Sequence, residues 1–295
     1  MTAPSSIPSP STPSLLPADT TIIPVLLAGG RGMRLRPLTS AARPKPFVSF
    51  LRKRSLFQDS LARYSPFGTP LVMLDEQMRG LATAQARSCG HEAMNLMLEP
   101  TMRGTAASVL SACFYLSHKH DNPLVLVAPC DHHIKDNQAL YHTITDAVHR
   151  MKPSQICLFG VTPHKANPHY GYVTHDTDGH VTHFTEKPAK KQAETLRKSP
   201  DTLWNTGIAL MYAKTALDIA AHLDETMHNL VTLAVTRAGR VQNAARLNDG
   251  YYAQIPHQSF DKAILEKHND MIIHRLNTGW QDVGTLPAYF RSAMG

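Results

Sequence analysis

A glycine-rich stretch followed by cationic side chains is the first part of the chain with clear chemical potential. Residues 28–34 read Ala-Gly-Gly-Arg-Gly-Met-Arg, and Lys45 follows within Pro-Lys-Pro-Phe. Glycines allow a tight turn and a close approach of the backbone to a ligand, and bare N–H groups attract phosphate. No Asp or Glu occurs between residues 20 and 58, whereas Lys and Arg recur. The stretch therefore predicts a site for a small polyanion.

This pattern differs from two common phosphate-binding loops. A P-loop needs Gly-Lys followed by Ser or Thr, and no such sequence follows these glycines. The dinucleotide fingerprint needs a third small residue where Leu35 stands. Both alternatives are set aside on these grounds.

Length and composition indicate a globular protein. The chain has 295 residues, of which 42% are hydrophobic, and a net charge of +7. Much of the positive charge lies beside the glycines, and no nucleic-acid module is recognisable, so we expect no nucleic-acid partner. No apolar run reaches membrane-spanning length, and no Lys or Arg precedes Arg31, so we expect neither a membrane partner nor a signal peptide. The four isolated cysteines are typical of a reduced, cytoplasmic protein.

The elements that would position these residues alternate between strand and helix. Apolar runs predict strands over 22–28, 70–74, 95–98, 124–128 and 156–161, with helices over 55–64, 81–89, 106–116 and 140–150. Such alternation favours a Rossmann-like, three-layer α/β fold whose mixed, mainly parallel sheet carries helices on both faces. The glycine loop, Glu99 and Asp131 each follow a predicted strand, so one crevice at the carboxyl ends of the strands could hold all three.

The pattern changes in the second half of the chain. Strands predicted over 170–174 and 180–184 flank Asp178-Gly179, which is a hairpin signal. Further predictions are strands over 208–212 and 271–276 and helices over 214–223 and 259–267. We expect a disordered Ser/Pro/Thr-rich tail over 1–20 and one compact domain over 21–295, whose pattern changes near residue 162.

The glycine stretch and later motifs resemble the sugar-1-phosphate nucleotidyltransferase family. The first motif is Leu-Ala-Gly-Gly-x-Gly-x-Arg-Leu-x-Pro-Leu-Thr with Pro-Lys-Pro-Phe, and the resemblance covers about 22–288. Within the family it is similar to mannose-1-phosphate guanylyltransferases, on the following motifs: Leu98-Glu-Pro-x-x-Arg-Gly-Thr-Ala106, Pro129-Cys-Asp-His132, Tyr170-Gly-Tyr172, Phe184-Thr-Glu-Lys-Pro188, Trp204-Asn-Thr-Gly207, Ser259-Phe-Asp261 and Trp280-Gln-Asp-Val-Gly284.

The resemblance implies nucleotidyl transfer from a nucleoside triphosphate, here GTP, to a sugar 1-phosphate, here mannose 1-phosphate. The sugar phosphate would attack the α-phosphorus, and pyrophosphate would leave. A phosphate monoester is mostly dianionic at pH 7, so no general base is needed and catalysis becomes a matter of positioning and cations. Mg²⁺ is the implied cofactor. The resemblance also implies that the domain over 21–295 is catalytic, with a nucleotide-binding part over about 21–162 and a sugar-binding part over about 163–295. Relatives commonly form dimers, so a homodimer is a further expectation.

The resemblance also implies roles for particular residues. Arg34, Lys45 and Lys187 would be catalytic: Arg34 and Lys45 at the triphosphate, and Lys187 on the sugar phosphate. The other expected contacts are, for the nucleotide, Ala28, Gly29, Gly30, Gly32, Arg34, Glu99, Gly104 and Thr105; for the sugar phosphate, Tyr170, Gly171, Glu186, Lys187 and Asn205; and for the metal, Asp131 and Asp282.

Glu99 is the candidate for base selection. Guanine presents adjacent N1–H and N2–H donors, and a carboxylate can accept both. Family members specific for thymidine or uridine nucleotides tend to have Gln there. The alternative is a Glu that caps the following helix.

Several alternatives stay open. The same reaction could use heptose 1-phosphate with GTP, or glucose 1-phosphate with UTP or dTTP, since Arg103-Gly-Thr replaces the usual Arg-Asn-Thr. The chain could also be a non-catalytic sensor of nucleotide sugars. A transition-metal site at Cys130-Asp-His-His133 is disfavoured, because adjacent side chains of an extended segment point apart.

Overall fold

The computed structural model describes residues 20–29, 35–49 and 53–294. Gly30, Gly32 and Arg34, three of the predicted site residues, lie outside the described residues, as do residues 1–19 of the predicted tail. Ala28, Gly29 and Lys45, on either side of residues 30–34, are described.

Strands and helices alternate through the first half of the chain, as the sequence predicts. The strands are β1 (Ile22–Leu27), β2 (Leu71–Asp75), β3 (Asn95–Glu99), β4 (Leu124–Pro129), β5 (His132–His133), β6 (Ile156–Val161), β7 (Gly171–His175), β8 (Val181–Glu186), β9 (Thr202–Tyr212), β10 (Gly239–Val241), β11 (Ala244–Arg246), β12 (Met271–Arg275) and β13 (Gln281–Asp282). The helices are α1 (Leu56–Tyr64), α2 (Arg79–Ser88), α3 (Thr105–Ser117), α4 (Asn137–Arg150), α5 (Lys190–Lys198), α6 (Ala213–Leu223), α7 (Glu225–Thr236), α8 (Asp249–Tyr252) and α9 (Leu286–Met294).

The main sheet has the order β10-β11-β3-β2-β1-β4-β9-β6-β12, and the β7–β8 hairpin joins it at β9. β1 is parallel to β2 and β4, and it is buried along most of its length, as expected for a strand covered on both faces. β9 is antiparallel to β4 and β6. The predicted mixed, mainly parallel sheet is therefore confirmed.

Helices cover both faces of this sheet. One apolar core joins the strands to α3, α6 and α7. A second core, on the opposite face, joins them to α1, α2 and α4. Alternate residues of a strand point to opposite faces, so Val25 of β1 belongs to the first core and Leu26 to the second.

Two elements differ from their predictions. β9 starts at Thr202 and includes Trp204-Asn-Thr-Gly207, which was expected to lead into a shorter strand. The helix predicted over 259–267 is a single π-helical turn, Asp261–Leu265. The predicted hairpin is present as β7 and β8, and Gly179 takes the positive φ of +88° that its turn requires. Among the described helices, none has both the length and the apolar character needed to cross a membrane.

Candidate functional site

The carboxyl ends of three parallel strands place predicted site residues along one edge of the sheet. β1 ends at Leu27 and is followed by Ala28 and Gly29, while β3 ends at Glu99 itself. β4 ends at Pro129, beside Leu27, and Asp131 follows. The crevice expected at this edge therefore holds residues that are distant in sequence.

A small second sheet brings the two predicted metal ligands together. β5 and β13 pair antiparallel, with Asp282 opposite His132. Because Asp131 directly precedes β5, its carboxylate lies beside that of Asp282. Gly284 allows this arrangement, since a Cβ there would lie 2.9 Å from Asp282 Oδ2.

Lys45 lies between these two carboxylates. Its Nζ donates to Asp131 Oδ2 at 2.9 Å and to Asp282 Oδ1 at 3.0 Å, and the residue is 5% exposed. Burial alone would lower the pKa of Lys45, but the two carboxylates outweigh it and the pKa rises. Burial likewise opposes the charge of Asp131, but the Lys45 ammonium outweighs it and lowers the pKa of Asp131 to about 2. Lys45 and Asp131 are therefore both charged at neutral pH.

The residues here fit a hard divalent cation. Ligand atoms of Asp131, His132 and Asp282 lie within 4.8 Å of one another. Carboxylate oxygens are the ligands that Mg²⁺ prefers. His132 is less suited, because its Nδ1 accepts from Trp280 Nε1 at 3.2 Å, which leaves the proton on Nε2, 3.6 Å from Asp131 Oδ1. Burial lowers the pKa of His132.

A cleft extends from Asp131 toward Glu99, and we call it the base cleft. Its lining is formed by Leu27, Gly29, Met73, Glu99, Met102, Gly104, Thr105, Ser108, Pro129 and Asp131. The lining is mostly apolar with a few polar groups, as is usual where an aromatic ring is bound. Gly29 is crowded, since a Cβ there would lie 2.7 Å from the Met102 side chain.

Glu99 lies at the inner end of the base cleft and is 1% exposed. Its Oε1 accepts hydrogen bonds from Ser108 Oγ at 2.7 Å and from the Tyr252 hydroxyl. Burial raises the pKa of Glu99, and these two hydroxyls partly offset that effect. Glu99 is therefore embedded within the fold and does not act as a surface cap on the following helix.

Gly104 and Thr105 line the base cleft, and the structure gives each a packing role. Gly104 has a φ of +83°, and a Cβ there would lie 2.2 Å from the carbonyl oxygen of Gln258. Thr105 Oγ1 accepts from the backbone N–H of Phe260 at 2.8 Å. Close packing against residues 258–260 is therefore sufficient to explain why residue 104 is a glycine, and no contact with a ligand is needed for that explanation.

A second cleft extends from Asp282 in the other direction, and we call it the sugar cleft. It contains Tyr170, Gly171, Glu186 and Asn205, four of the five residues predicted to bind the sugar phosphate; the remaining lining is His132, His169, Thr206, Gly207, Asp261, Trp280 and Asp282. Tyr170 packs edge-on against Trp280, with ring centroids 5.8 Å apart. The two clefts meet where Lys45 joins Asp131 to Asp282.

Lys187, the fifth of these residues, lies at the rim of the sugar cleft. Its Nζ is paired with Glu186 Oε1, and its side chain is 58% exposed. Its backbone has a φ of +50°. Non-glycine residues rarely adopt this conformation, and those that do cluster at functional sites.

Sequence reasoning missed three residues that support the site. Ser108 and Tyr252 bond to Glu99, and no local pattern indicates that contact. Asp261 accepts from Asn205 Nδ2 at 2.7 Å. The signal that could have identified Asp261 is the Ser259-Phe-Asp261 motif, which ends at this residue and to which the sequence alone assigns no role. Burial, with Glu186 nearby, raises the pKa of Asp261 to about 6.

Comparison with protein families matches residues 23–295 to the nucleotidyl transferase family. Among similar proteins, an alginate biosynthesis protein AlgA from Pseudomonas fluorescens is 31% identical over 272 residues, which are 89% of this chain and 56% of that protein. An Escherichia coli mannose-1-phosphate guanylyltransferase is 31% identical over 284 residues, which are 89% of this chain and 60% of that protein. The chain thus spans somewhat more than half the length of these relatives.

Solved structures show the same fold. A protein from Thermus thermophilus, described as a mannose-1-phosphate geranyltransferase, superimposes with a TM-score of 0.80 at 25% identity. The match covers 92% of this chain and 79% of that one. The overall fold is therefore shared with a solved protein.

Proposed function

The chain belongs to the nucleotidyl transferase family, and we propose that it transfers the GMP moiety of GTP to mannose 1-phosphate, giving GDP-mannose and pyrophosphate. The observation that carries this proposal is the junction of the base cleft and the sugar cleft at Lys45, Asp131 and Asp282. A nucleotide in one cleft and a sugar phosphate in the other would bring their phosphates together there. The names of the guanylyltransferase relatives support this choice of substrates.

The reaction we propose is an in-line displacement at the α-phosphorus. A phosphate oxygen of the sugar phosphate forms the new P–O bond, and the bond from the α-phosphorus to the oxygen bridging to the β-phosphate breaks. The electron pair of that bond leaves with pyrophosphate. The nucleophile is already a dianion at neutral pH, so no side chain needs to remove a proton. The principal barrier is the approach of two anions.

Three cationic groups of this chain would lower that barrier. Lys45 is fixed at the junction of the clefts by two carboxylates. Lys187, at the rim of the sugar cleft, would leave Glu186 to hold the sugar phosphate. Arg34, which follows the glycines in the sequence, would neutralise the β- and γ-phosphates. Asp131 and Asp282 would hold Mg²⁺, which when bound supplies positive charge to the phosphate oxygens.

Glu186 and Asn205 would bind sugar hydroxyls, because both side chains line the sugar cleft. Asn205 uses part of its amide internally, since Nδ2 donates to Asp261 and Oδ1 accepts from Gly207 N. Its second N–H and second lone pair are left for a hydroxyl group. Supply of a nucleotide sugar to polysaccharide synthesis is the expected use, given the alginate-related relatives. A homodimer remains a prediction.

The deciding experiment measures pyrophosphate release with Mg²⁺, mannose 1-phosphate and each nucleoside triphosphate in turn. Release with GTP and not with the other nucleotides is the expected result. Release only with another sugar phosphate would keep the reaction and replace the substrate. No release with any pair, from folded protein that binds nucleotide, would refute the proposed reaction and favour a sensor.

A further inference from the structure

The carboxylate of Glu99 uses its two oxygens differently. Oε1 accepts from both the Ser108 and Tyr252 hydroxyls, which occupy its two lone pairs. For Oε2, the described part of the chain provides no hydrogen-bond partner. Oε2 lies on the Gly29 side, 3.9 Å from where a Gly29 Cβ would be. One oxygen is therefore fixed by the protein, and the other is available to a ligand in the base cleft.

Tyr252 is held firmly in its position. It is buried, it ends helix α8, and the α8 N-terminus is capped by Asn248. Three hydrogen bonds, each donated by a backbone N–H, join the segment that follows to residues 103–106: Gln258 N to Arg103 O, Ala106 N to Gln258 O, and Phe260 N to Thr105 Oγ1. The phenol thus directly precedes a segment that is hydrogen-bonded to residues 103–106, beside the base cleft.

We infer that Tyr252, together with Ser108, is a positioning residue that sets the base specificity of this site by fixing the orientation of Glu99. The inference rests on the proposed function and deepens it. With Oε1 saturated, Glu99 presents Oε2 as an acceptor to the base. Guanine offers N1–H and N2–H donors to such an acceptor, whereas adenine places the lone pair of N1 against it.

Charge reinforces this selection. A protonated Glu99 could donate to adenine N1, so selectivity requires the carboxylate form. Burial raises the pKa of Glu99, as does Asp75, which lies opposite it on β2, whereas the Ser108 and Tyr252 hydroxyls lower it. The pKa of Tyr252 itself is raised by burial and by Glu99, so the phenol keeps its proton to donate.

The test compares Tyr252→Phe with two matched variants. Tyr251→Phe makes the same chemical change at the neighbouring, partly exposed residue. Tyr141→Phe removes another buried hydroxyl bond, the one to Arg63 O at 2.8 Å, which lies outside the base cleft. The substrates are GTP, ATP and inosine triphosphate, which keeps N1–H and lacks the 2-amino group.

We expect Tyr252→Phe to lower the ratio of kcat/KM for GTP to that for ATP by about tenfold, as for the loss of one charge-assisted hydrogen bond. The loss should appear in KM for GTP, with kcat nearly unchanged, and should grow as the pH is lowered, because the variant lacks one of the hydroxyls that lower the pKa of Glu99. Ser108→Ala should act in the same direction. The two control variants should leave the ratio unchanged, although Tyr141→Phe should lower thermal stability.

An equal change in kcat/KM for GTP and ATP in Tyr252→Phe would overturn the inference, since that is what a merely structural role gives. If Tyr252→Phe fails to fold, Ser108→Ala carries the same test. If the wild-type chain shows no turnover, calorimetric binding of GTP and ATP to the wild type and the variants replaces kinetics. Loss of guanine preference in the variants then still supports the inference, and a wild type without guanine preference overturns it.

Discussion

Replacing Lys45 with methionine should destabilise the fold in a way that Mg²⁺ reverses. Methionine keeps most of the apolar volume of the lysine stem but removes the ammonium that joins Asp131 to Asp282. The two carboxylates then face each other without a cation between them. A bound divalent cation could supply the missing charge at the same place, because the donor atoms are already within 4.8 Å.

The magnitude follows from the geometry. The ligand oxygens of the two carboxylates lie no more than 4.8 Å apart, so two unit charges there repel by at least about 3.5 kcal/mol at an effective dielectric constant of about 20. Breaking a buried ion pair costs about 3–5 kcal/mol, but the Asp131 and Asp282 side chains are 27% and 20% exposed, which favours the low end. We therefore expect a loss of about 3 kcal/mol in the free energy of unfolding, or roughly 6–12 °C in Tm.

The assay is chemical and thermal denaturation of both proteins with EDTA and with saturating Mg²⁺. In EDTA, Lys45→Met should unfold about 3 kcal/mol more easily than wild type, and Mg²⁺ should recover most of that difference. Lys267→Met, at an exposed lysine, is the control and should show neither effect. Equal stability of Lys45→Met and wild type in EDTA would refute the electrostatic reasoning. A loss of stability that Mg²⁺ does not repair would refute the assignment of the two carboxylates as metal ligands.

Three further outcomes follow from the structure. Gly171→Ala places a Cβ 2.9 Å from Glu186 Oε2, so steady-state kinetics should show a higher KM for the sugar phosphate and an unchanged KM for GTP. The pKa of Asp261 is about 6 in the folded protein, above the unfolded value of about 3.9. The folded state therefore binds the extra proton, and the free energy of unfolding should fall as pH rises from about 4 to about 6. Urea denaturation across this pH range should show a smaller dependence for Asp261→Asn. Gly104→Ala should lower the free energy of unfolding by about 2 kcal/mol or more in urea denaturation, because residue 104 has a φ of +83° and its new Cβ would lie 2.2 Å from the Gln258 carbonyl oxygen. Gly80→Ala is the control: it adds a Cβ into open space on a helix and should be neutral or stabilising.

The sequence predicted the first half of the fold well because its strands carry a strong local signal. Continuous apolar runs such as those of β1 and β4 are buried only when both faces of the strand are covered. This pattern is typical of parallel strands that lie between two layers of helices. Once that architecture is accepted, Glu99 and Asp131 must lie at the same edge of the sheet. The structure agrees on both points.

The rest depended on contacts that carry no local signal. β5 and β13 have only two residues each, yet their pairing is what brings Asp282 to Asp131. β9 inserts between β4 and β6 in the antiparallel sense, although its apolar run over 208–211 resembles that of a buried parallel strand. Tertiary pairing determines whether a two-residue strand forms and whether a strand runs parallel or antiparallel to its neighbours. The hydrophobic periodicity of the sequence predicts neither feature.

Lys45 shows how a correct motif can carry an incomplete expectation. The Pro-Lys-Pro-Phe motif predicted a lysine near the phosphates, and the structure adds that its ammonium is already held by two carboxylates. An ammonium so held cannot extend freely toward a substrate, but it fixes the positions of both acids before any ligand arrives. We therefore expect Lys45 to act through the arrangement of Asp131 and Asp282 as much as through its own charge.

Glu99 leads to a similar argument about selectivity. The sequence suggested a carboxylate that accepts both guanine donors. A freely rotating carboxylate could use one oxygen for each donor. Here Oε1 is committed to Ser108 and Tyr252, so both guanine donors must share Oε2 or one must find another partner. An oxygen fixed on one side discriminates better than a mobile carboxylate, because it cannot rotate to suit a different base. The specificity of the base cleft would then depend as much on Tyr252, which bonds to Glu99 and does not line the cleft, as on the acid itself.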